Sequence, residues 1–433
     1  MDSLSNKLKI LESSLPSYLV LSESLSSIAP LSSVAAYLTI TLAISGSSSA
    51  LASLMGVGIY GFWVYVGYQL AKLFPSEGGT YTFSRQMYSE RIASAVGWVY
   101  WGSYMFYMIS TSTYASSVLL PLFGVSGLYA RLAEIILPSL IILMMISGIR
   151  PPLYYSLVTS MIEIIIIYVL GISVLRETGV SLSPFLPQEN FSKLVSGALA
   201  TSFTVAGGGA SFFLGKEARG KGRDVSKSFL IAFVLSSSAI VFSSFYLVKA
   251  GELEPQIIGS GFPGLLAART FEGVSFEEVM FILTFNSVIG SLISAYVALS
   301  RLSFSLTGWP LSKSIGLIGA LFLLLDSLIA ISGDPAQWYI YFFIASLFTL
   351  LSAHIALSLG FIKVRRKSNF SYLKLIPGPI AGILITASLF FLYESLGDLV
   401  IIGIVVTCLL GIFGFIHKTR GLRGKGNFVH QGD

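Results

Sequence analysis

The sequence predicts an all-helical integral membrane protein of about twelve spans, and three observations carry that reading. First, 54% of its 433 residues are hydrophobic and 11% charged, with a mean hydropathy of +0.81, which leaves too little polar surface to cover a soluble globule of this size. Second, apolar windows of about 20 residues, the length that crosses the hydrocarbon of a bilayer, recur along the chain. Third, the basic residues alternate between loops. Lys7 and Lys9, Lys72 to Arg91, Arg150, Lys216 to Lys227, Arg301 and Lys313, Lys363 to Lys374 and Lys418 to Lys425 fall on one side, against Arg131, Arg176, Lys193, Lys249 and Arg269 on the other. That asymmetry predicts a multi-pass protein of the cell membrane with both termini in the cytoplasm. The net charge of +6 thus reports topology, and no nucleic-acid partner is expected. Cys408 is the single cysteine and His354 the one histidine inside a span, so neither a disulfide framework nor metal or cofactor chemistry is expected.

Residues 1–16 are polar, with no small-residue cleavage site after a short apolar core, and are expected to be a cytoplasmic tail rather than a removed signal peptide. The first span, 17–44, is interrupted at Ser26, Ser27, Ile28, Ala29 and Pro30. Proline removes a helical N–H and clashes with the preceding turn, so the helix is expected to stop near Ile28 and restart with Pro30 in its first turn. The amides of Leu31, Ser32 and Ser33 would then be free at the positive end of a half-helix, where they suit an anion such as a carboxylate. A plain proline kink is the alternative.

Span two, 49–74, carries Gly56, Gly58, Gly61 and Gly67 and reads as a close-packing helix ending in a Pro and Gly turn at 75–81. Span three, 92–120, holds Trp98, Tyr100, Trp101, Tyr104 and Tyr107; such aromatics usually pack, and Tyr104, nearest the middle, is the candidate ligand contact. Span four covers 132–146. Span five, 154–175, contains Glu163 among isoleucines, and a carboxyl at that depth costs several kcal/mol unless it is paired or protonated. It is therefore a candidate proton carrier, or else a structural carboxyl bonded to a neighbouring helix.

Span six, 194–215, has three consecutive glycines, Gly207, Gly208 and Gly209, in its middle. Each costs a helix about 1 kcal/mol relative to alanine, so the span is expected to unwind there. Unwound backbone survives in hydrocarbon only when it is buried in protein or lines a cavity, which makes this stretch a binding-site candidate, with close helix packing as the alternative. Span seven covers 225–248. Span eight, 279–306, carries Asn286, Ser287, Ser291 and Ser294 at roughly helical spacing, a stripe that either faces a cavity or an ion or bonds back to its own backbone. Spans nine to twelve cover 314–332, 338–362, 379–393 and 398–416. Asp326 and His354, in spans nine and ten, have no identifiable partner in the sequence.

Breaks in the first and sixth spans are what an inverted repeat of five plus five produces, with the ligand held between one unwound helix from each half. The expected organisation is a tail at 1–16, repeats at 17–176 and 190–362, two further helices within 376–417 and a C-terminal tail at 418–433.

At Phe74-Pro75-Ser76-Glu77-Gly78-Gly79-Thr80-Tyr81, followed by Gly97-Trp98, the chain resembles the amino acid/polyamine/organocation (APC) permease superfamily. Two further stretches are similar: Gly208 to Arg223, with Glu217 and then Arg223-Asp224-Val225, and Ser300-Arg301-Leu302 to Gly308-Trp309-Pro310. The resemblance covers the chain from the first span to the twelfth. It implies an alternating-access transporter for a small molecule, an amino acid or amine. The ligand carboxylate would sit on the span-one backbone around Ser27, Ile28, Ala29, Leu31 and Ser32, and its ammonium on the carbonyls of Phe203, Thr204 and Val205, ahead of Ala206 and the glycines. Phe203 would close over the ligand. Where many members have a Gly-Ser-Gly break in span one, this chain has Ser-Ile-Ala-Pro, and Pro30 offers no amide. Coupling would run through a proton on Glu163, or through a sodium ion on carbonyls near Ala29 and the hydroxyls of Ser291 or Ser294, or be absent in an exchanger. The lack of an acid in spans three, six or eight favours neutral substrates. Glu23, in the cytoplasmic half of span one, is the one acid that could instead neutralise a cationic side chain of the solute.

Other classes find little support. Gly124-Val125-Ser126-Gly127 resembles the serine motif of intramembrane proteases but falls in an outer loop far from His354, so an enzyme is not expected. The near phosphate-binding loop at 215–222 has Gly222 where Ser or Thr must hold magnesium. No charged ring or repeated filter stretch suggests a channel. A transport-inactive sensor of the same fold stays open.

Overall fold

The protein is described by a computed structural model at residues 10, 12–368 and 370–417. Among the described residues it is a bundle of helices whose only strand-like feature is an isolated parallel bridge between Leu15 and Ala218. The tails expected at 1–16 and 418–433 lie largely outside the described residues. Ten helical segments are long and apolar enough to cross a membrane. The expectation of about twelve spans includes two that this measure passes over. One is Ser17–Ile28, cut short by the break, and the other is Glu90–Tyr114, whose apolar character is diluted by serine, glycine and tyrosine.

Span one runs as Ser17–Ile28, then Pro30–Ser32, a π-helical turn Ser33–Tyr37 and Leu38–Ser45. At the joint, Ala29 takes a left-handed conformation with φ 52° and ψ 67°. A non-glycine residue there is uncommon, and it follows from the chemistry of Pro30, which cannot donate the next helical bond. The Ala29 amide turns back to the Ser26 carbonyl at 3.1 Å, and the Ala29 carbonyl receives the Ser33 amide at 2.9 Å to begin the second half.

Span six runs as Phe191–Thr204, capped by the Asn190 side chain accepting from the Lys193 amide at 2.9 Å, and resumes as a 3₁₀-helix, Gly208–Leu214. Between them Gly207 has φ 122° and ψ −31°, a region that L side chains rarely adopt. A methyl group on Gly207 would also stand 2.5 Å from the Ser27 carbonyl oxygen, so the residue must be glycine for two independent reasons.

The remaining spans are Ser49–Leu73, Glu90–Tyr114, Leu128–Ile146, Arg150–Thr178, Lys221–Leu253, Val274–Thr307, Leu311–Ser332, Pro335–Gly360, Pro377–Leu396 and Val400–Ile416. Two short helices, Thr80–Met87 and Pro263–Glu272, lie in segments that the sequence reading treats as loops. Both have strongly sided apolar faces but are too short for an apolar-window criterion to register. Span three packs along spans ten, twelve and eight; span two along six and seven; the first half of span one along seven and five; and span four along span nine. Only 17% of the span-twelve window is buried inside the protein, so this helix is peripheral.

The motif-bearing segments meet at the face that holds the N-terminal segment. The Gly215 amide donates to the Ser76 carbonyl at 3.1 Å, and Lys216 pairs with Glu77 at 2.8 Å. Gly79, at φ 46°, lies where a side chain would collide with the Phe213 ring.

Candidate functional site

The breaks in spans one and six face each other near the centre of the bundle. Ser27 Oγ donates to the Gly207 carbonyl at 2.6 Å. Ser33 Oγ reaches both the Ile28 carbonyl, at 3.0 Å, and the Thr204 carbonyl, at 3.3 Å. Hydroxyls of span one thus satisfy main-chain oxygens released by the unwinding, as buried backbone in hydrocarbon requires.

A cavity of about 200 Å³ opens against this joint. Ser27, Ile28 and Ser33 line it from span one, and Ala200, Phe203, Thr204, Ala206, Gly207 and Gly209 from span six. Span two contributes Tyr60, span three Tyr100, Ser103, Tyr104 and Tyr107, and span ten Phe343, Ser346, Leu347, Leu350 and His354. Ile40, Phe391 and Leu396 complete the wall on the side away from the N-terminal face. The wall combines aromatic rings and hydroxyls, and among the described residues none of its members is an aspartate, glutamate, lysine or arginine.

Toward the N-terminal face the two broken spans are tied together. The Leu15 amide donates to the Glu217 carbonyl at 2.8 Å, and the Arg219 amide to the Leu15 carbonyl at 2.9 Å, tying the start of span one to the segment after span six. The Glu217 side chain accepts two bonds from Arg301, at 2.8 and 3.1 Å, with both side chains almost wholly buried. Such a bidentate pair is strongly directional. Glu23 is fully buried beside it, within electrostatic reach of Arg301 and Glu217.

Of the substrate-contact residues expected from sequence, Ser27, Ile28, Tyr104, Phe203, Thr204, Ala206, Gly207 and Gly209 line the cavity. Ala29, Leu31, Ser32, Val205 and Gly208 are buried and do not. The amides expected to be free are engaged elsewhere. Leu31 N donates to Glu163 Oε2 at 3.3 Å, Ser32 N approaches Ser287 Oγ at 3.4 Å, and Ser33 N bonds the Ala29 carbonyl. The half-helix N-terminus thus faces spans five and eight, where the Glu163 carboxyl stands at the place a ligand's anion was expected to take.

Glu163 is buried and also accepts from Ser287 Oγ at 2.7 Å, so one carboxyl joins spans one, five and eight. Ser291 donates to the Val288 carbonyl of its own helix at 2.8 Å. Ser294 and Ser26 place their hydroxyls 2.5 Å apart. Of the span-eight stripe, Asn286 receives the Tyr155 hydroxyl.

His354 is a member of the cavity wall to which the sequence reading assigned no role. Its ring stacks on Trp63 at 3.8 Å between centroids, and its Nδ1 has no hydrogen-bond partner. The signal in the sequence was a lone histidine in an apolar span; its neighbour Trp63 is nearly 300 positions away, beyond the reach of any local pattern.

A family model described as amino acid permease matches residues 18–308. Among solved structures, MhsT in complex with L-phenylalanine is similar with a TM-score of 0.64 at 14% identity, over 87% of this chain and 98% of that one. A mutant of the manganese transporter of Eremococcus coleocola aligns with a TM-score of 0.59 at 13% identity, over 91% and 92%. A Na⁺-coupled sialic acid symporter in a substrate-bound outward-open state aligns with a TM-score of 0.55 at 11% identity, over 91% and 90%. At such identities the likeness is one of fold. No curated protein matches in sequence.

Proposed function

The chain belongs to the amino acid permease family and is a multi-pass membrane transporter, and from that premise we propose that it carries neutral amino acids or closely related amines by proton-coupled alternating access. The observation that carries this reading is the cavity between the two helix breaks, backed by Glu163 at the N-terminus of the second half of span one. The solute would lie between Ser27, Ile28 and Ser33 on one side and Phe203, Thr204, Ala206 and Gly207 on the other. The absence of a charged side chain from the described wall supports a substrate whose only charges are its own ammonium and carboxylate.

Glu163 supplies a reason for coupling. As a carboxylate it holds the Leu31 amide and the Ser287 hydroxyl by charge-assisted bonds and complements the half-helix dipole. Protonation removes the charge and weakens that joint, so proton binding and the tilt of span one would bias one another. Spans one to five and six to ten would be the inverted halves, with the N-terminal face cytoplasmic. Opening toward that face would require the Leu15 to Ala218 bridge and the Glu217 to Arg301 pair to part.

The test is uptake of labelled amino acids into proteoliposomes under an imposed pH gradient and, separately, an imposed sodium gradient, for the parent and Glu163→Gln. Uptake driven by the pH gradient in the parent and lost in the variant, with binding retained, is expected. Sodium-driven uptake indifferent to Glu163→Gln would overturn the proton assignment and direct attention to Ser291 and Ser294, whereas uptake under neither gradient would count for an exchanger or a sensor.

A further inference from the structure

Away from the cavity, a pair of acids is enclosed between spans three, four and nine. Glu134, in Leu128–Ile146, and Asp326, in Leu311–Ser332, are each fully buried and lie within electrostatic reach of one another. Each is about six residues, hence about 9 Å, from the helix end facing away from the N-terminal segment, which puts the two level across the antiparallel contact of spans four and nine.

The oxygens around them are unevenly satisfied. Thr113 Oγ1 donates to Glu134 Oε2 at 3.4 Å, and Ser116, carried by the π-helical turn Ala115–Leu119, donates to Glu134 Oε1. The one polar group against Asp326 among the described residues is the fully buried Ser112 hydroxyl, and neither side chain makes a further hydrogen bond. Pro138, one turn after Glu134, has no N–H to offer, so the Glu134 main-chain carbonyl lacks its helical donor. Among the described residues, no lysine, arginine or histidine acts electrostatically on either carboxyl. Two like charges enclosed together without a counter-charge repel and forgo solvation, and the buried Ser112 hydroxyl and Asp326 carboxyl, satisfied by nothing beyond each other, keep lone pairs free for a ligand between the two acids.

We propose that this cluster is a binding site for a hard metal cation, with Glu134 and Asp326 as charged ligands and the hydroxyls of Ser112, Thr113 and Ser116 as neutral ones. An all-oxygen donor set without sulfur or imidazole suits sodium or calcium and disfavours the softer transition metals. Two carboxylates balance a calcium ion outright; a sodium ion is balanced when one of them keeps a proton. Bound there, the ion fastens spans three, four and nine together, independently of Glu163 and of the transport reading.

The measurement is thermal unfolding of the purified full-length protein in detergent, in choline chloride, sodium chloride and calcium chloride at equal ionic strength, for the parent, Asp326→Asn, Glu134→Gln and Glu163→Gln. A cation that binds the folded state raises its unfolding temperature with saturable dependence on concentration. The expected result is such a rise with sodium or with calcium in the parent and in Glu163→Gln, lost in Asp326→Asn and Glu134→Gln. The proposal is overturned by a parent indifferent to the cation, which would assign the pair to proton sharing, or by a rise that survives in both acid variants. Should the acid variants not fold, Ser112→Ala carries the test: its half-saturating cation concentration should increase several-fold, and an unchanged value overturns the assignment.

Discussion

Glu163 Oε2 accepts the backbone N–H of Leu31 at 3.3 Å, across 132 positions of sequence. The contact joins two features that looked separate in the chain, a half-helix with unsatisfied amides and a carboxyl buried in span five. Each answers the other's need: the amide lacks a helical acceptor, and the carboxylate lacks solvent. Glu163→Gln keeps an oxygen acceptor for Leu31 and Ser287 and should cost no more than about 1 kcal/mol of stability, whereas Glu163→Leu orphans both donors and should cost about 1–3 kcal/mol. Chemical or thermal unfolding of the two variants side by side distinguishes these outcomes, and equal losses would deny the carboxyl its bridging role.

Gly207→Ala should be severely damaging. The added methyl would meet the Ser27 carbonyl oxygen at 2.5 Å, and φ 122° is strained for any L side chain. A loss of roughly 1–3 kcal/mol is expected from the backbone conformation alone, together with loss of uptake. Gly58→Ala is the control, since a methyl there meets nothing within 4 Å. Comparable behaviour of the two would contradict the geometry at the break.

Breaking the Arg301 to Glu217 pair leaves one buried charge uncompensated. Arg301→Met and Glu217→Met should each destabilise the protein by about 3–5 kcal/mol, while the two apolar replacements combined should recover much of that loss. A double-mutant cycle by thermal unfolding checks this. Because the pair also ties segments together at the N-terminal face, the single variants should increase labelling of a cysteine placed at Ser27 in a Cys408→Ala background by reagents added from that face.

His354→Phe preserves an aromatic ring against Trp63 and orphans no described protein group, because Nδ1 has no partner. Stability should change by less than about 1.5 kcal/mol. The cavity, however, loses a polar edge, so competition assays should show preference moving toward more apolar amino acids. An unchanged preference would mean that the imidazole is packing only.

Much of the architecture was legible in local chemistry. Pro30 and the glycines at 207–209 mark the two breaks because proline and glycine act on the backbone at their own positions, whatever surrounds them. Apolar windows locate spans because the bilayer imposes one length on every crossing, although they stop short of helix ends: span eight begins at Val274 and span seven at Lys221, since polar residues carry a helix on beyond the hydrocarbon. The glycines of 75–81 and 208–223 act locally in the same way: Gly79 takes a positive φ of 46° against the Phe213 ring, and a side chain on Gly215 or Gly222 would meet the backbone at Ser76 or Lys72.

The sequence by itself therefore determined an all-helical membrane protein, its two broken spans and its family. Only the tertiary structure decided which way the freed groups point. Leu31 and Ser32 were equally entitled to a ligand or to Glu163 and Ser287, and the packing of spans five and eight against span one chose the latter. His354 entered the cavity wall, and Glu134 met Asp326, because helices distant in the chain lie side by side. Hydrogen bonds and charges act over a few ångströms, and in a helical bundle those few ångströms connect residues separated by one hundred positions or more, a distance that no periodicity in the chain records.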